Sequence, residues 1–117
     1  MRDLSPEVKE ALEAVCPNVF YFYPDTFESL PAVSYYDCGN SCADGRDLLT
    51  PVCFRVDVWA SDVPTVKAAA ASVDAALRGL GFRRAFSQPV PDPSGYRHQS
   101  MRFEGTFNAL DGKLYSR

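Results

Sequence analysis

The single histidine, His98, is the first residue to test for chemistry, because histidine is the commonest general acid or base. A catalytic histidine also needs a nucleophile or a carboxylate to act with it. No recognisable sequence spacing supplies that partner, and the chain has neither a phosphate-binding glycine loop nor a His-Glu-x-x-His zinc helix. We therefore interpret His98 as a structural residue of a strand and predict no catalytic residues and no enzyme activity.

The four cysteines are the only candidates for a metal site, and they are Cys16, Cys38, Cys42 and Cys53. Structural zinc sites usually combine two closely spaced cysteine pairs, and this chain has one, Cys38 with Cys42. The charged start of the chain lacks the apolar core of a secretory signal, and no apolar run is long enough for a membrane helix. A reducing cytosol favours thiols over disulfides. We expect four free thiols, no metal and no other cofactor.

Four arginines alternate with aromatic residues near the C-terminal end, as they could on a nucleic-acid-binding surface. The arginines are Arg83, Arg84, Arg97 and Arg102, and the aromatic residues are Phe82, Phe86, Tyr96 and Phe103. The alternation equally fits strands with core aromatics and solvent-facing arginines. The net charge of −3 favours the second interpretation, because nucleic-acid-binding domains are usually basic.

Two helices and about five strands must position these residues. Ser5 and Pro6 predict the start of a helix over 5–15, and Pro64 and Gly81 bracket a second helix over 62–80. β-Branched and aromatic runs predict strands over 19–23, 32–38, 52–59, 82–88 and 96–107. The 117 residues are enough for one domain, with 46% hydrophobic residues to form its core.

The predicted fold class is α+β: a single antiparallel sheet of about five strands with two helices on one face, in the order α-β-β-β-α-β-β. The domain spans 1–107, and 108–117 form a C-terminal tail. The strand over 52–59 alternates most clearly. Its apolar side, with Val52, Phe54, Val56 and Val58, is expected beneath the helices.

The opposite side of that strand carries Arg55, Asp57 and Trp59 and is left without a helix to cover it. Tryptophan, tyrosine and arginine are the residues that most often anchor protein interfaces. We therefore expect an oligomer or partner interface anchored by Trp59, Arg55 and Tyr36. The long turn-rich segment 39–47, ahead of this strand, has no role that its composition identifies.

Four segments in order resemble a family of bacteriophage proteins. They are the stretch from Tyr21 to Tyr36, the Val-Asp-Val-Trp strand ending at Trp59, the Leu-Gly-Phe-Arg-Arg at the end of the second helix, and the strand from Tyr96 to Phe103. Together they cover about residues 19 to 107. The sequence resembles the tail terminator, or tail completion, proteins of long-tailed phages and prophages. The cysteine-bearing loop from Cys38 to Asp47 departs from the family, in which an acidic turn is expected.

The resemblance implies a non-enzymatic subunit of the virion tail, assembled in the host cytoplasm. Such proteins form a ring, commonly a hexamer, that caps the tail tube, stops its polymerisation and provides the head-joining surface. The implied partners are other copies of the chain, the tail tube protein and the head-tail connector protein, with no membrane and no small-molecule substrate. Two alternatives stay open: another phage neck or connector subunit, and a small nucleic-acid-binding domain.

Overall fold

The computed structural model describes residues 3–23, 29–40 and 48–116. Within these residues the chain forms two helices and six strands, and all six strands belong to one sheet. The elements in chain order are α1 (Ser5–Glu13), β1 (Val19–Tyr21), β2 (Ala32–Asn40), β3 (Leu49–Ala60), α2 (Val63–Leu80), β4 (Arg83–Val90), β5 (Arg97–Asn108) and β6 (Lys113–Tyr115). The strand order is β1-β2-β3-β5-β4, and β6 pairs with β5. The predicted α+β class is confirmed.

Helix α1 begins with Leu4 as its N-cap residue rather than Ser5. Asp3 assists the start, because its Oδ1 accepts a hydrogen bond of 2.9 Å from the Ser5 backbone N–H. Val8 and Leu12 are buried, as expected from their helical spacing. The helix ends two residues before its predicted limit of 15.

Helix α2 has the boundaries that its capping residues predict. The Asp62 carboxylate accepts a hydrogen bond of 2.8 Å from the Thr65 N–H, and the hydrogen bonds from Thr65 lower the pKa of Asp62. Val66, Ala70, Val73 and Leu77 form its buried side. In the described parts of the chain, no helix combines the length and apolar character needed to cross a membrane.

Gly81 ends α2 in the left-handed conformation, with a φ of 111°. A Cβ atom at this position would lie 2.4 Å from the backbone oxygen of Leu114 in β6. Gly81→Ala is therefore expected to lower the free energy of unfolding by at least about 1–2 kcal/mol, the cost of the left-handed conformation for a residue with a side chain. A denaturant titration measures this loss. Gly79→Ala is the control, because nothing lies within 4 Å of a Cβ at Gly79. Equal stability of the two variants would contradict this description of the helix end.

Strand β3 lies at the centre of the sheet between β2 and β5. Val52, Phe54, Val56 and Val58 belong to the core with the buried sides of both helices, as the alternating pattern predicted. Met101 and Phe103 of β5 lie opposite Val56 and Phe54 and extend this core. The central strand therefore fixes which residues face the helices and which face away.

The sheet is mixed rather than wholly antiparallel, which corrects the sequence-based expectation. β1 pairs with β2 in parallel, with Val19 opposite Val33. Residues 22–31 separate the two strands in the sequence, whereas a two-residue hairpin turn would have imposed antiparallel pairing. β1 stops at Tyr21, before its predicted limit of 23, and Phe22 follows with a positive φ of 70°.

The segment 108–117 was expected to be a C-terminal tail outside the domain. The structure differs, because β6 pairs with the end of β5. Leu114 of β6 packs against the core. An apolar side chain that reaches the core holds this end of the chain in place.

Strand β4 forms the edge of the sheet beside β5. A register irregularity lies between Arg84 and Phe86, and Pro89 sits near the end of the strand. Most of the side chains of β4 are exposed.

Candidate interaction surface

The face of the sheet turned away from the helices, here called the open face, carries His98 and the residues predicted to form an interface. Strand alternation and register place on it Tyr36 of β2, Arg55, Asp57 and Trp59 of β3, Phe86 of β4, and His98, Ser100, Arg102 and Glu104 of β5. The structure thus brings the three predicted anchors, Tyr36, Arg55 and Trp59, onto one face.

Asp57 and His98 form a hydrogen-bonded pair on the open face. His98 Nε2 lies 2.8 Å from Asp57 Oδ1, and the Asp57 side chain is 1% exposed. Arg55 Nε lies 3.8 Å from Asp57 Oδ2 and donates a hydrogen bond of 3.0 Å to Ser100 Oγ. This polar group ties β3 to β5 beneath the surface.

Sequence reasoning missed this pair because the two residues are 41 positions apart. The contact follows from the register of β3 and β5, in which Trp59 lies opposite His98 and Asp57 lies opposite Ser100. Asp57 and His98 are therefore diagonal neighbours on one face of the sheet. Predicting the contact would have required the strand pairing and its register. Alternation alone identified the face of Asp57 but not its neighbour.

Trp59 lies within the surface rather than projecting from it, since it is 5% exposed. Its ring stacks on His98 at a centroid distance of 4.5 Å, and Tyr23 packs edge-on against it at 6.0 Å. The pKa of the Asp92 carboxyl is lowered by hydrogen bonds from Ser94, by electrostatic interaction with His98 and by a hydrogen bond from Trp59. Trp59 therefore supports neighbouring residues instead of offering a large contact area of its own.

Beside Trp59, four aromatic residues form what we call the aromatic patch: Tyr21, Phe22, Tyr23 and Tyr36. Phe22 stacks on Tyr36 with ring centroids 4.8 Å apart. Tyr21 and Phe22 are each 53% exposed, and Tyr23 is 49% exposed. Exposed aromatic clusters of this kind are uncommon on monomers and mark interaction sites. Sequence analysis had placed Tyr21, Phe22 and Tyr23 in a strand and did not identify them as surface residues.

Tyr23 is exposed and also interacts with the charge of Asp57 and with the hydroxyl group of Tyr36. Partial burial, the negative charge of Asp57 and a hydrogen bond with Tyr36 raise the pKa of Tyr23 to about 12. The phenol stays protonated at neutral pH and can donate a hydrogen bond. Tyr23 thus adds a neutral hydroxyl group to the aromatic patch.

The prediction of four free thiols is wrong for two of the cysteines. Cys38 and Cys53 form a disulfide across β2 and β3, with Cα atoms 5.3 Å apart. Cys53 pairs in register with Gly39, and the irregularity between Asp37 and Gly39 brings Cys38 beside it. The argument from a reducing compartment could not anticipate a pairing that the strand register creates.

The other two cysteines do not join this pair in the described structure. Cys16 is a buried free thiol whose Sγ donates a hydrogen bond of 3.3 Å to the Pro31 carbonyl. Cys42 and most of the loop from Cys38 to Asp47 lie outside the described residues. Within the residues that are described, His, Cys, Asp and Glu side chains form no group of three or more that could hold a metal ion.

The arginine and aromatic residues considered for nucleic-acid binding are dispersed by the fold. Phe82 and Phe103 are core residues. Glu104 pairs with Arg83 at 2.7 Å and with Arg102 at 3.0 Å, and Arg84 lies 3.6 Å from Asp74. Paired arginines without stacked aromatics beside them offer little to a nucleic-acid strand.

A groove of about 660 Å³ runs between the start of α2 and the connection from β4 to β5, and His98 lines part of it. The other ionisable residues along it are Lys67, Asp92, Tyr96 and Arg97. His98 Nε2 already contacts Asp57, which leaves only Nδ1 for proton transfer.

Comparison with known proteins gives a structural relation and no sequence family. No family model matches the sequence, and no curated protein matches it. Among solved structures, a chain of the "Virion of native gene transfer agent (GTA) particle" superposes with a TM-score of 0.59. The two chains share 20% sequence identity, and the match covers 83% of this chain and 88% of that chain. The two chains share a fold.

Proposed function

We propose that this protein is a tail terminator subunit of a phage or phage-like particle. In this proposal it forms a ring on the end of the tail tube, stops tube polymerisation and provides the surface for head joining. The observation that carries the proposal is the fold shared with a chain of a virion particle over most of both chains. The ordered resemblance of residues 19 to 107 to tail terminators supports it independently.

The open face and the aromatic patch are suited to contacts between subunits. A ring closes when one surface of each subunit contacts a different surface of the next, with a constant rotation. Aromatic and arginine side chains dominate the binding energy of such contacts. Tyr36 and Arg55 are both partly exposed, and Phe22 extends the surface from Tyr36 towards solvent.

The remaining parts of the proposal follow from this role. The self-contact is weak, so that the protein is mainly monomeric when dilute and forms a ring, a hexamer by analogy, at high concentration or on the tube. A subunit that closed into rings at every concentration could not dock on a growing tube. Its partners are the tail tube protein and the head-tail connector protein. It resides in the virion tail after assembly in the host cytoplasm, and its function requires no catalysis, cofactor or small-molecule substrate.

Phe22→Ser and Arg55→Gln are expected to abolish normal tail-length control while leaving the fold intact. Phe22 is a surface residue of the aromatic patch, and Arg55 is an open-face residue whose guanidinium lies 6.0 Å from the Phe86 ring. The measurement is complementation of a deletion of the encoding gene, with tail length and head attachment scored by electron microscopy. Circular dichroism of each purified variant checks folding.

Leu110→Ser is the matched control, because Leu110 is an 80% exposed apolar residue outside the open face and the aromatic patch. It is expected to support tails of normal length. If Phe22→Ser and Arg55→Gln fold and also give normal tails, the interface is misplaced. If deletion of the gene leaves tail length unchanged but prevents head joining, the protein is a different neck or connector subunit.

A further inference from the structure

The disulfide between Cys38 and Cys53 has one end exposed and the other end beside a cation. We propose that it is a thiol–disulfide exchange site, at which a dithiol attacks the Cys38 sulfur and Cys53 leaves as a thiolate held by Arg102. This inference does not depend on the proposed function.

The two cysteines differ in accessibility. Cys53 is 7% exposed and lies in the central strand β3. Cys38 is exposed and lies at the irregularity near the end of β2, directly after Asp37. An attacking thiolate must approach one sulfur along the axis of the disulfide, and access helps determine which sulfur it reaches. Exposure therefore selects Cys38 as the attacked residue.

Arg102 makes the Cys53 sulfur a better leaving group than the Cys38 sulfur. Its Nε lies 3.2 Å from Cys53 Sγ, and its terminal Nη2 lies 3.0 Å from Glu104 Oε2. The ion pair with Glu104 orients the guanidinium so that the Nε–H points at the sulfur. A neighbouring arginine stabilises a thiolate, and a stabilised thiolate leaves faster in exchange. Both accessibility and charge thus favour the same direction of attack.

The exchange takes place in two balanced steps. A thiolate of the dithiol forms a bond to Cys38 Sγ, the bond between Cys38 and Cys53 breaks, and its electron pair leaves on Cys53 Sγ. The second thiolate of the dithiol then attacks its own mixed-disulfide sulfur and releases Cys38 as a thiolate. The dithiol is oxidised to a cyclic disulfide, and the protein gains two electrons and, on protonation, two thiols.

The bridge joins Cys38, near the end of β2, to Cys53 of β3, which lies 15 positions later in the chain. Next to the bridge, the backbones of β2 and β3 are paired at Gly39 with Cys53 and at Asn40 with Val52. This backbone pairing does not require the bridge. Reduction therefore removes the covalent link between β2 and β3 without breaking their backbone pairing. The bridge is expected to open in a reducing medium, such as a cytosol, and to close in an oxidising medium.

The test measures reduction of the natively folded full chain by dithiothreitol, followed by alkylation of released thiols and mass spectrometry. All variants carry Cys42→Ser, so that the remaining cysteine of this segment cannot exchange with the bridge. The variants are Arg102→Gln, Arg102→Lys and the control Arg83→Gln, which removes the other arginine paired with Glu104. A parallel reaction with glutathione, quenched early and peptide-mapped, identifies the cysteine that forms the mixed disulfide.

We expect Arg102→Gln to slow reduction by about threefold or more, Arg102→Lys to slow it less, and Arg83→Gln to leave it unchanged. The rate should rise in proportion to dithiothreitol concentration, and glutathione should be found on Cys38. The proposal is overturned by glutathione on Cys53, by equal rates for Arg102→Gln and its parent, or by the absence of the bridge after oxidation with glutathione disulfide. A rate independent of dithiothreitol concentration would also overturn it, because opening of the structure would then precede attack.

Discussion

Phe54→Ala is expected to lower the free energy of unfolding by about 3–5 kcal/mol, the usual cost of truncating a buried phenylalanine. Phe54 is 1% exposed, and its ring packs edge-on against Phe82 with centroids 5.8 Å apart. It lies on the central strand with a neighbouring strand on each side, so the sheet has little freedom to collapse into the space left by the ring. Urea titration followed by the fluorescence of the single tryptophan measures the change.

Phe86→Ala is the control for this variant. Phe86 lies on the edge strand β4 and is only partly buried, so its truncation should cost much less than that of Phe54. A loss below about 1 kcal/mol for Phe54→Ala would place that side chain outside the core. The register of β3 would then be wrong by one residue, since a shift of one exchanges the two faces of a strand.

Trp59→Ala is expected to cost about 3 kcal/mol, at the lower end of the range for large aromatic side chains. The variant removes the stacking on His98 and the edge contact with Tyr23. Sequence analysis instead predicted that Trp59 anchors an interface on the uncovered face. Its 5% exposure makes it a residue of structural importance.

Trp59→Phe is the matched variant, because it keeps an aromatic ring over His98 and should recover part of the lost stability. Circular dichroism during denaturation measures both variants, since each lacks the tryptophan. If Trp59→Ala is as stable as the parent, Trp59 is a free surface residue, and the anchor role first expected for it becomes testable by tail complementation. Because a change at Trp59 is expected to destabilise the fold, the functional test substitutes Phe22 and Arg55 instead.

The features that sequence analysis predicted correctly are those that short stretches of chain determine. The alternation from Val52 to Val58 placed one side of β3 in the core, since side chains alternate across a sheet. Pro64 lies in the first turn of α2 and Gly81 is its C-cap residue, as predicted. Local hydrogen bonds and periodic burial act within a few residues, so the sequence contains their full pattern.

The features that it did not predict depend on contacts between distant segments. The Asp57–His98 pair and the disulfide of Cys38 with Cys53 both arise from strand register, which composition and spacing do not specify. The parallel pairing of β1 with β2 is likewise a contact between separate segments of the chain. The burial of Trp59 depends on Tyr23, which reaches it from beyond the end of β1.

The edge strand β4 affects the tendency of the protein to aggregate before it is assembled. An unpaired strand edge can add strands from other molecules and so start fibrous aggregation. Here the irregularity between Arg84 and Phe86 interrupts the edge, Pro89 has no N–H to donate, and Arg83 and Arg84 repel an identical strand. The opposite edge, β1, is only three residues long. These features of β4 and β1 oppose the growth of intermolecular sheets from either edge strand.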